Sequence, residues 1–326
     1  MEYVNPELLA AIDKNKQVFG KSRLASLVRR TLEEEANMHS DKLEHPLPLF
    51  TSKKKKAHLK KELNGKTLEH LTQAWNWALE SFEGILDRDF VETIAAKIEP
   101  ENPAVQGGYR RELVRLTGAR IVLPNYLAIP QLMDDFFNLV NNQSLHPIDR
   151  ALLSHFHIAR IHPFVDSNGR TARLVQNVIL HRGDYAPATV KLGERTHYLD
   201  MIENAVIEYL NRTTSGTLNT TTSLGEKMFF NYMASRVNVA LEEAITYVDR
   251  LPQHRLLFVK NIDKPVQYVL KRCLVGYFKS TNKLGQVRVV DNGYTIYGDI
   301  NEATIRDIVD SNKNFGSLKY RVERLK

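Results

Sequence analysis

One cysteine, Cys273, is present in 326 residues. A lone thiol forms no intramolecular disulfide and supplies no cysteine-based zinc site, which agrees with a reducing compartment. No run approaches the roughly 18 uncharged apolar residues of a membrane-spanning helix. The opening MEYVNPELLAAIDKNK carries acids and bases where a signal peptide needs an apolar core. A cytoplasmic protein without a membrane partner is therefore expected. The chain also lacks a GxxxxGK[ST] phosphate loop, a nucleophile-elbow motif and a thiolate cluster, which sets aside three common enzyme classes.

What is present suits a substantial core. The chain is 43% hydrophobic and 25% charged, long enough for two or three domains. A formal charge of +7 and a pI near 9.3 favour acidic partners, nucleotide and nucleic acid among them. Part of the excess sits in TSKKKKAHLKK, with Lys53, Lys54, Lys55, Lys56, Lys60 and Lys61. No aromatic residue is interleaved there for stacking on bases, so a solvated loop or helix face is the expectation.

Helical periodicity runs from Lys21 to Glu44, and Pro46 and Pro48 stop it. A second helical tract runs from Thr67 to about Ile98, with Leu68, Leu71, Trp75, Ala78, Leu79 and Phe82 at three- and four-residue steps. GGYRRELVRLTGARIVLP, from Gly107 to Pro124, partly alternates about Thr117 and Gly118 and reads as a β-hairpin. Helices return in IPQLMDDFFNLVNN, in PIDRALLSHFHIARI and from about Gly169 to His181. The Ser/Thr/Gly-rich stretch from Arg212 to Gly225 reads as a linker. Beyond it come a helix from about 226 to 250 and two strands, QVRVV and YTIYG, about Asp291-Asn292-Gly293. A small α/β domain and a winged-helix DNA-binding module both fit that end.

The chemistry concentrates between His162 and Arg173, in HPFVDSNGR and the start of the next helix. A loop entering a helix through Asn168 and Gly169 aims unpaired backbone N–H groups and the helix dipole at an anion. Arg170 and Arg173 lie three apart on one helical face, where both guanidinium forks can meet one polyphosphate. Asp166 offers a hard oxygen ligand for magnesium, and His162 a base that titrates near neutrality. Each residue alone has a bland reading, a packing histidine or a surface arginine pair. Together within twelve residues they point to phosphate chemistry. His155 and His157, two apart on a helix, point about 200° around the axis and do not converge on a metal. They read as packing or surface residues.

The segment resembles the active-site motif HxFx(D/E)GNGRxxR of the Fic family, matched by His162, Phe164, Asp166, Asn168, Gly169, Arg170 and Arg173. The resemblance implies a mainly α fold with a β-hairpin flap, and transfer of AMP from Mg-ATP to a Ser, Thr or Tyr hydroxyl of a target protein, itself included. It makes His162 the base, Phe164 the anchor of the loop and Asp166 the Mg²⁺ ligand. Asn168 and Gly169 would cradle the α-phosphate, Arg170 would meet the leaving diphosphate and Arg173 the γ-phosphate. Ser167 departs from the family glycine. If that position needs positive φ, serine brings strain of about 1 kcal/mol or more, although its hydroxyl offers a phosphate donor.

Further expectations follow from the same resemblance. Residues 109–124 match the target-docking flap, and Tyr198 falls where relatives place a residue against adenine or ribose. Ser40 to Glu44 resembles the inhibitory [S/T]xxxE(G/N) motif, with His45 in place of the small residue, and implies that Glu44 pairs with Arg173 and blocks the γ-phosphate. The expected layout is an N-terminal inhibitory region over 1–66, a catalytic core over 67–211, a linker over 212–225 and an accessory domain over 226–326. A homodimer is allowed. The competing reading is a non-catalytic, nucleotide-responsive regulator in which Ser167 disables chemistry and the C-terminal domain binds DNA or protein.

Overall fold

The computed structural model describes residues 3–22, 24–44, 53–116, 118–214, 222–259, 262–281, 283, 285–290, 293–312, 315 and 318–325, without the side chains of 53–65 and 214. The lysine cluster, His45, Pro46 and Pro48 thus fall outside what is described, except for the cluster's backbone. The chain divides into two compact units, Met1–Gln17 with Thr31–Leu241 and Val18–Arg30 with Glu242–Lys326.

Ten α-helices precede any strand among the described residues. They are α1 (Pro6–Gly20), α2 (Ala25–Glu44), α3 (Lys53–Ser81), α4 (Arg88–Ile98), a single turn α5 (Pro103–Gln106), α6 (Ile129–Val140), α7 (Pro147–Ile161), α8 (Asn168–Arg182), α9 (Arg195–Thr214) and α10 (Leu224–Arg250). The helical tract expected over 67–98 is broken in two and starts earlier, at Lys53. Gly84 takes φ 103° between the pieces, a conformation open to glycine at little cost. Asp87 then caps α4 by accepting from the Phe90 N–H at 2.8 Å. The first unit ends at Leu241, within α10, and of the expected linker over 212–225, residues 215–221 lie outside the described residues.

The first unit is built around α7 and α8, which pack on each other more extensively than any other pair of elements. Nearly every side chain of both is buried, polar ones included. A polar side chain is tolerated there when its hydrogen bonds are met. Ser154 donates to the Arg150 carbonyl at 2.8 Å, and Nδ1 of His157 accepts from Arg160 Nη2 at 2.9 Å. Trp75 is core, 5% exposed.

The second unit contains a four-stranded antiparallel sheet of order β2-β3-β1-β4, from β1 (Gln253–Phe258), β2 (Gly285–Val290), β3 (Gly293–Gly298) and β4 (Tyr320–Arg324). The expected β2–β3 hairpin is present, with Val287 opposite Ile296. Gly293 lies against the Leu256 carbonyl of β1, where a Cβ would collide. Leu270, Leu274 and Phe278 of α11 (Lys264–Ser280) and Ile305 and Val309 of α12 (Glu302–Asp310) pack with Leu256, Tyr294 and Ile296 in one core. Among the described residues a single helix, α11, joins β1 to β2, so that connection holds no helix-turn-helix, and the helix-covered sheet suits the α/β alternative. No described helix is long and apolar enough to cross a membrane.

Candidate active site

The loop from His162 to Ser167 joins the two buried helices, and left-handed residues mark both of its ends. His162 closes α7 with φ 53° and its N–H on the Ile158 carbonyl at 2.9 Å. Ser167 opens α8 with φ 68°. The position therefore has the positive φ that favours glycine, and the serine carries the expected strain. Its hydroxyl is buried without a partner among the described residues, a second cost at the same residue.

Two side chains fix the loop between these ends. Phe164 is fully buried, its ring 5.9 Å from that of Tyr109. Asn168 accepts from the Phe164 N–H at 2.9 Å and donates to the Phe164 carbonyl at 2.8 Å. The Asn168 amide thus holds the loop closed, its side-chain hydrogen bonds committed to backbone. Arg110, which carries no motif in the sequence, ties the loop to the flap. It is 2% exposed and donates from Nε to the His162 carbonyl at 2.8 Å, from Nη1 to the Glu112 carbonyl at 2.8 Å and from Nη2 to the Pro124 carbonyl at 2.7 Å.

Those last two bonds lie at the base of the expected flap. Residues 109–124 were expected as a β-hairpin, yet no strand occurs among the described ones. Lone two-stranded pairings are marginal in water, and here one guanidinium closes the base of the excursion in place of a ladder. Its far end is held by Arg120, whose backbone N–H bonds Glu203 and whose Nε meets the same carboxylate at 2.8 Å. Thr117 lies outside the described residues, while Gly118 has φ 82°.

His162 Nδ1 lies 3.3 Å from the Ala159 carbonyl. A carbonyl accepts only, so Nδ1 carries the proton and Nε2 the lone pair. Burial, with the nearby Arg110 charge, pushes the imidazole pKa below its ordinary value despite the opposing pull of Ala159, Glu44 and Asp166. Asp166 is exposed and accepts from the Ser167 N–H at 2.5 Å. Among the described residues no cluster of three metal-ligating side chains occurs, so any ion at Asp166 would take most of its ligands from phosphate and water.

The two arginines are both buried, Arg170 at 2% and Arg173 at 4% exposure, but differently engaged. Arg170 Nη2 pairs with Glu99 at 2.6 Å and approaches Asp166 at 3.4 Å, while its Nε and Nη1 are buried without partners among the described residues. Unsatisfied buried donors at a helix N-terminus fit an anionic ligand. Arg173 donates from Nε to Ser40 Oγ at 2.9 Å, and from Nη2 to the Ser40 carbonyl at 3.2 Å and to Glu44 at 2.6 Å. Burial pushes the Glu44 pKa up, but Arg173, Arg170 and Arg195 outweigh it and hold the carboxyl below its ordinary range. Glu44 also lies over Gly169, where a Cβ would strike its carboxylate; the glycine gives the acid room. Arg195 anchors the end of α2 by donating to the Leu43 carbonyl at 2.8 Å.

Tyr198 is 3% exposed, and its hydroxyl lies 2.8 Å from His155 Nε2 and faces the Arg173 charge. Glu99 and Arg110 left no sequence signal. Glu99 follows α4 as its C-cap, and nothing in EPENP marks which buried cation it meets.

Fold and site together define a helical domain in which a loop between two buried helices offers anion-compatible donors. Residues 85–180 match the model of the Fic/DOC family, so that segment is similar to a Fic domain. Over 119 residues it is 34% identical to a protein adenylyltransferase Fic of Drosophila willistoni, covering 36% of this chain and 24% of that protein. The chain thus spans about a quarter of the length of the curated relatives it matches. A Fic domain containing signaling protein from Bacteroides thetaiotaomicron superposes with a TM-score of 0.58 at 20% identity, over 73% of this chain and 96% of that one. Fic-1 of C. elegans superposes with a TM-score of 0.56 at 19% identity, over 74% and 71%. At these identities the structural likeness speaks for the fold.

Proposed function

We propose that the chain is a protein adenylyltransferase that moves AMP from Mg-ATP to a Ser, Thr or Tyr hydroxyl of a target protein, and that Glu44 holds it inactive until α2 releases Arg173. The names of its curated relatives support the reaction class. The observation that carries the reading is the head of α8, where two buried guanidinium groups stand beside a histidine whose bond to Ala159 leaves its Nε2 lone pair free.

His162 Nε2 takes the proton of the target hydroxyl as its oxygen attacks the α-phosphorus. The bond from the α-phosphorus to the bridging oxygen breaks, the AMP phosphodiester forms and pyrophosphate leaves. Arg170 offers Nε and Nη1 to the leaving diphosphate, and Arg173, once free of Glu44, meets the γ-phosphate. Such a displacement needs positioning and charge neutralisation more than covalent help from the enzyme. Asp166 would hold Mg²⁺, which supplies further neutralisation on the phosphates when bound. Residues 67–211 act as the catalytic core under this proposal, with 1–66 as inhibitory region and 226–326 as accessory domain.

The test is incubation with labelled Mg-ATP, followed by intact mass, of the wild type, Glu44→Gly and His162→Ala. AMP on the protein or on lysate proteins is expected for Glu44→Gly and absent for His162→Ala. The strained Ser167, with its unpartnered hydroxyl, favours a second reading, a nucleotide-responsive regulator without transfer. Nucleotide binding by Glu44→Gly with no adduct anywhere would select it.

A further inference from the structure

Arg173 has one neighbour that does not belong to α2. Its guanidinium charge faces the Tyr198 hydroxyl. That hydroxyl lies 2.8 Å from His155 Nε2, His155 Nδ1 lies 2.7 Å from Gln176 Oε1, and Gln176 Nε2 donates to Asn177 Oδ1 at 3.2 Å. Asn177 Oδ1 also accepts from the Ala188 N–H at 3.1 Å, which anchors the far end in backbone. His155 and Gln176 are fully buried, and Tyr198 nearly so.

The protons along this row are fixed from one end. A nearby guanidinium charge turns the lone pairs of the Tyr198 oxygen toward Arg173, so the hydroxyl proton goes to His155 Nε2. That leaves the imidazole proton on Nδ1, where it is given to Gln176 Oε1, and the Gln176 amide donates onward to Asn177. Every group is used in one sense, and the row carries no charge. Burial agrees, pushing the His155 pKa down to about 3.

We propose that Tyr198, His155 and Gln176 are positioning residues, a neutral brace that keeps the Arg173 guanidinium aimed at the terminal phosphate after Glu44 and Ser40 withdraw. This rests on the nucleotide-transfer reading above. While α2 is in place, Ser40 and Glu44 fix Nε and Nη2 from the other side, and the brace is redundant. Once α2 leaves, Tyr198 is the only one of these partners that stays, and an arginine without it regains side-chain freedom that binding must then remove.

The brace therefore matters in one background more than the other. With the full chain, affinity for α,β-methylene-ATP, which cannot transfer AMP, is measured by calorimetry in the wild type, Tyr198→Phe, Glu44→Gly and the double variant. Tyr198→Phe is expected to weaken binding about tenfold in the Glu44→Gly background and no more than about twofold in the wild type, on the order of the cost of ordering one long side chain. AMP, which lacks the terminal phosphates, should bind alike with and without Tyr198→Phe. With ATP the loss should appear in KM more than in kcat. His155→Gln, which keeps an acceptor for Tyr198, should preserve affinity in the Glu44→Gly background where His155→Leu loses it. Equal losses in both backgrounds, or a matching loss for AMP, would make these residues structural and overturn the brace. If Glu44→Gly binds no nucleotide, the nucleotide-transfer reading falls and the brace with it. If it binds and Tyr198→Phe changes nothing, the brace alone falls. Nitrogen-15 NMR of the imidazoles gives a readout independent of nucleotide: His155 protonated on Nε2, or titrating between pH 5 and 8, overturns the assigned order.

Discussion

Arg170 and Arg173 are one helical turn apart, equally buried, and opposite in how their charge is met. The counter-ion of Arg170 is Glu99, from the same core that carries the loop, and two of its donors remain unused. The counter-ion of Arg173 is Glu44 at the end of α2, and Ser40 occupies a further donor. A guanidinium with a resident acid is a permanent part of the site. One whose acid sits on a separate helix can be exposed or covered as a unit, and its resident partner, Tyr198, is neutral. Under the proposed function, the difference would place regulation on Arg173 and leave Arg170 a permanent part of the site.

Removing each acid should separate the two sides most sharply. Glu99→Ala leaves buried Arg170 with only the exposed Asp166 at 3.4 Å as counter-ion, and breaking such a pair costs about 3 kcal/mol, the low end for a buried pair because Glu99 is partly exposed. The expected result is a clear fall in unfolding free energy with no gain in AMP transfer. Glu44→Gly should do the reverse, raising transfer on the order of tenfold or more for a loss of about 1 kcal/mol, since exit of the helix end admits water to Arg173. Denaturant unfolding and labelled-ATP assays on both variants check this. Transfer activated by Glu99→Ala would show Glu99 to be a second lock and remove the distinction.

A change of pH sharpens the comparison by acting on base and lock at different values. The folded-state pKa of His162 is lowered, so the neutral, proton-accepting form persists to more acid pH than for a free histidine. Transfer by Glu44→Gly should stay level through neutrality and past the ordinary histidine value of about 6.5, declining only at more acid pH. Glu44 is also lowered, so the stability its pair contributes is present above the ordinary carboxylate pKa and is lost only as pH falls through the depressed one. Between pH 6 and 8 the lock stays ionised, and the ratio of Glu44→Gly to wild-type activity should be flat. A ratio that narrows toward 1 on going from pH 8 to 6 would mean that acid opens the lock, against the depressed Glu44 pKa.

How much of this was legible depended on whether a signal was local. The His162–Arg173 loop stood out because its residues are consecutive, and Glu44 because a spacing of four beside Ser40 matched a family pattern. The Glu44–Arg173 contact at 2.6 Å puts those two signals together, 129 residues apart. Glu99 and Arg110 could not be found that way: each is one charged residue in a polar segment, and its meaning comes only from the cation or carbonyl that the fold brings to it. Tyr198 was assigned by position alone, yet its hydroxyl turns inward to His155. The strands QVRVV and YTIYG were readable from alternation, whereas β1 and β4 are edge-to-centre partners whose pairing is set by tertiary context. The flap failed as a hairpin because alternation predicts faces and not the ladder, and a buried arginine replaced the ladder here.

The smallest expected effect concerns Ser167, the residue that precedes both arginines and favours neither. Glycine there removes the left-handed strain and the orphaned hydroxyl, so Ser167→Gly should stabilise the protein by about 1 kcal/mol, or about 2–4 °C in Tm for a unit of this size. Because the loop geometry is already that of a glycine, the distances at Glu44 and Glu99 should not change, and the ratio of Glu44→Gly to wild-type activity should be the same with and without Ser167→Gly. Calorimetric melting and labelled-ATP assays of Ser167→Gly, alone and with Glu44→Gly, measure both points. A Tm that falls would show that the serine hydroxyl makes a compensating bond, and an activity ratio that shifts would show that the strained turn, and not the acid on α2 alone, sets how firmly Arg173 is held.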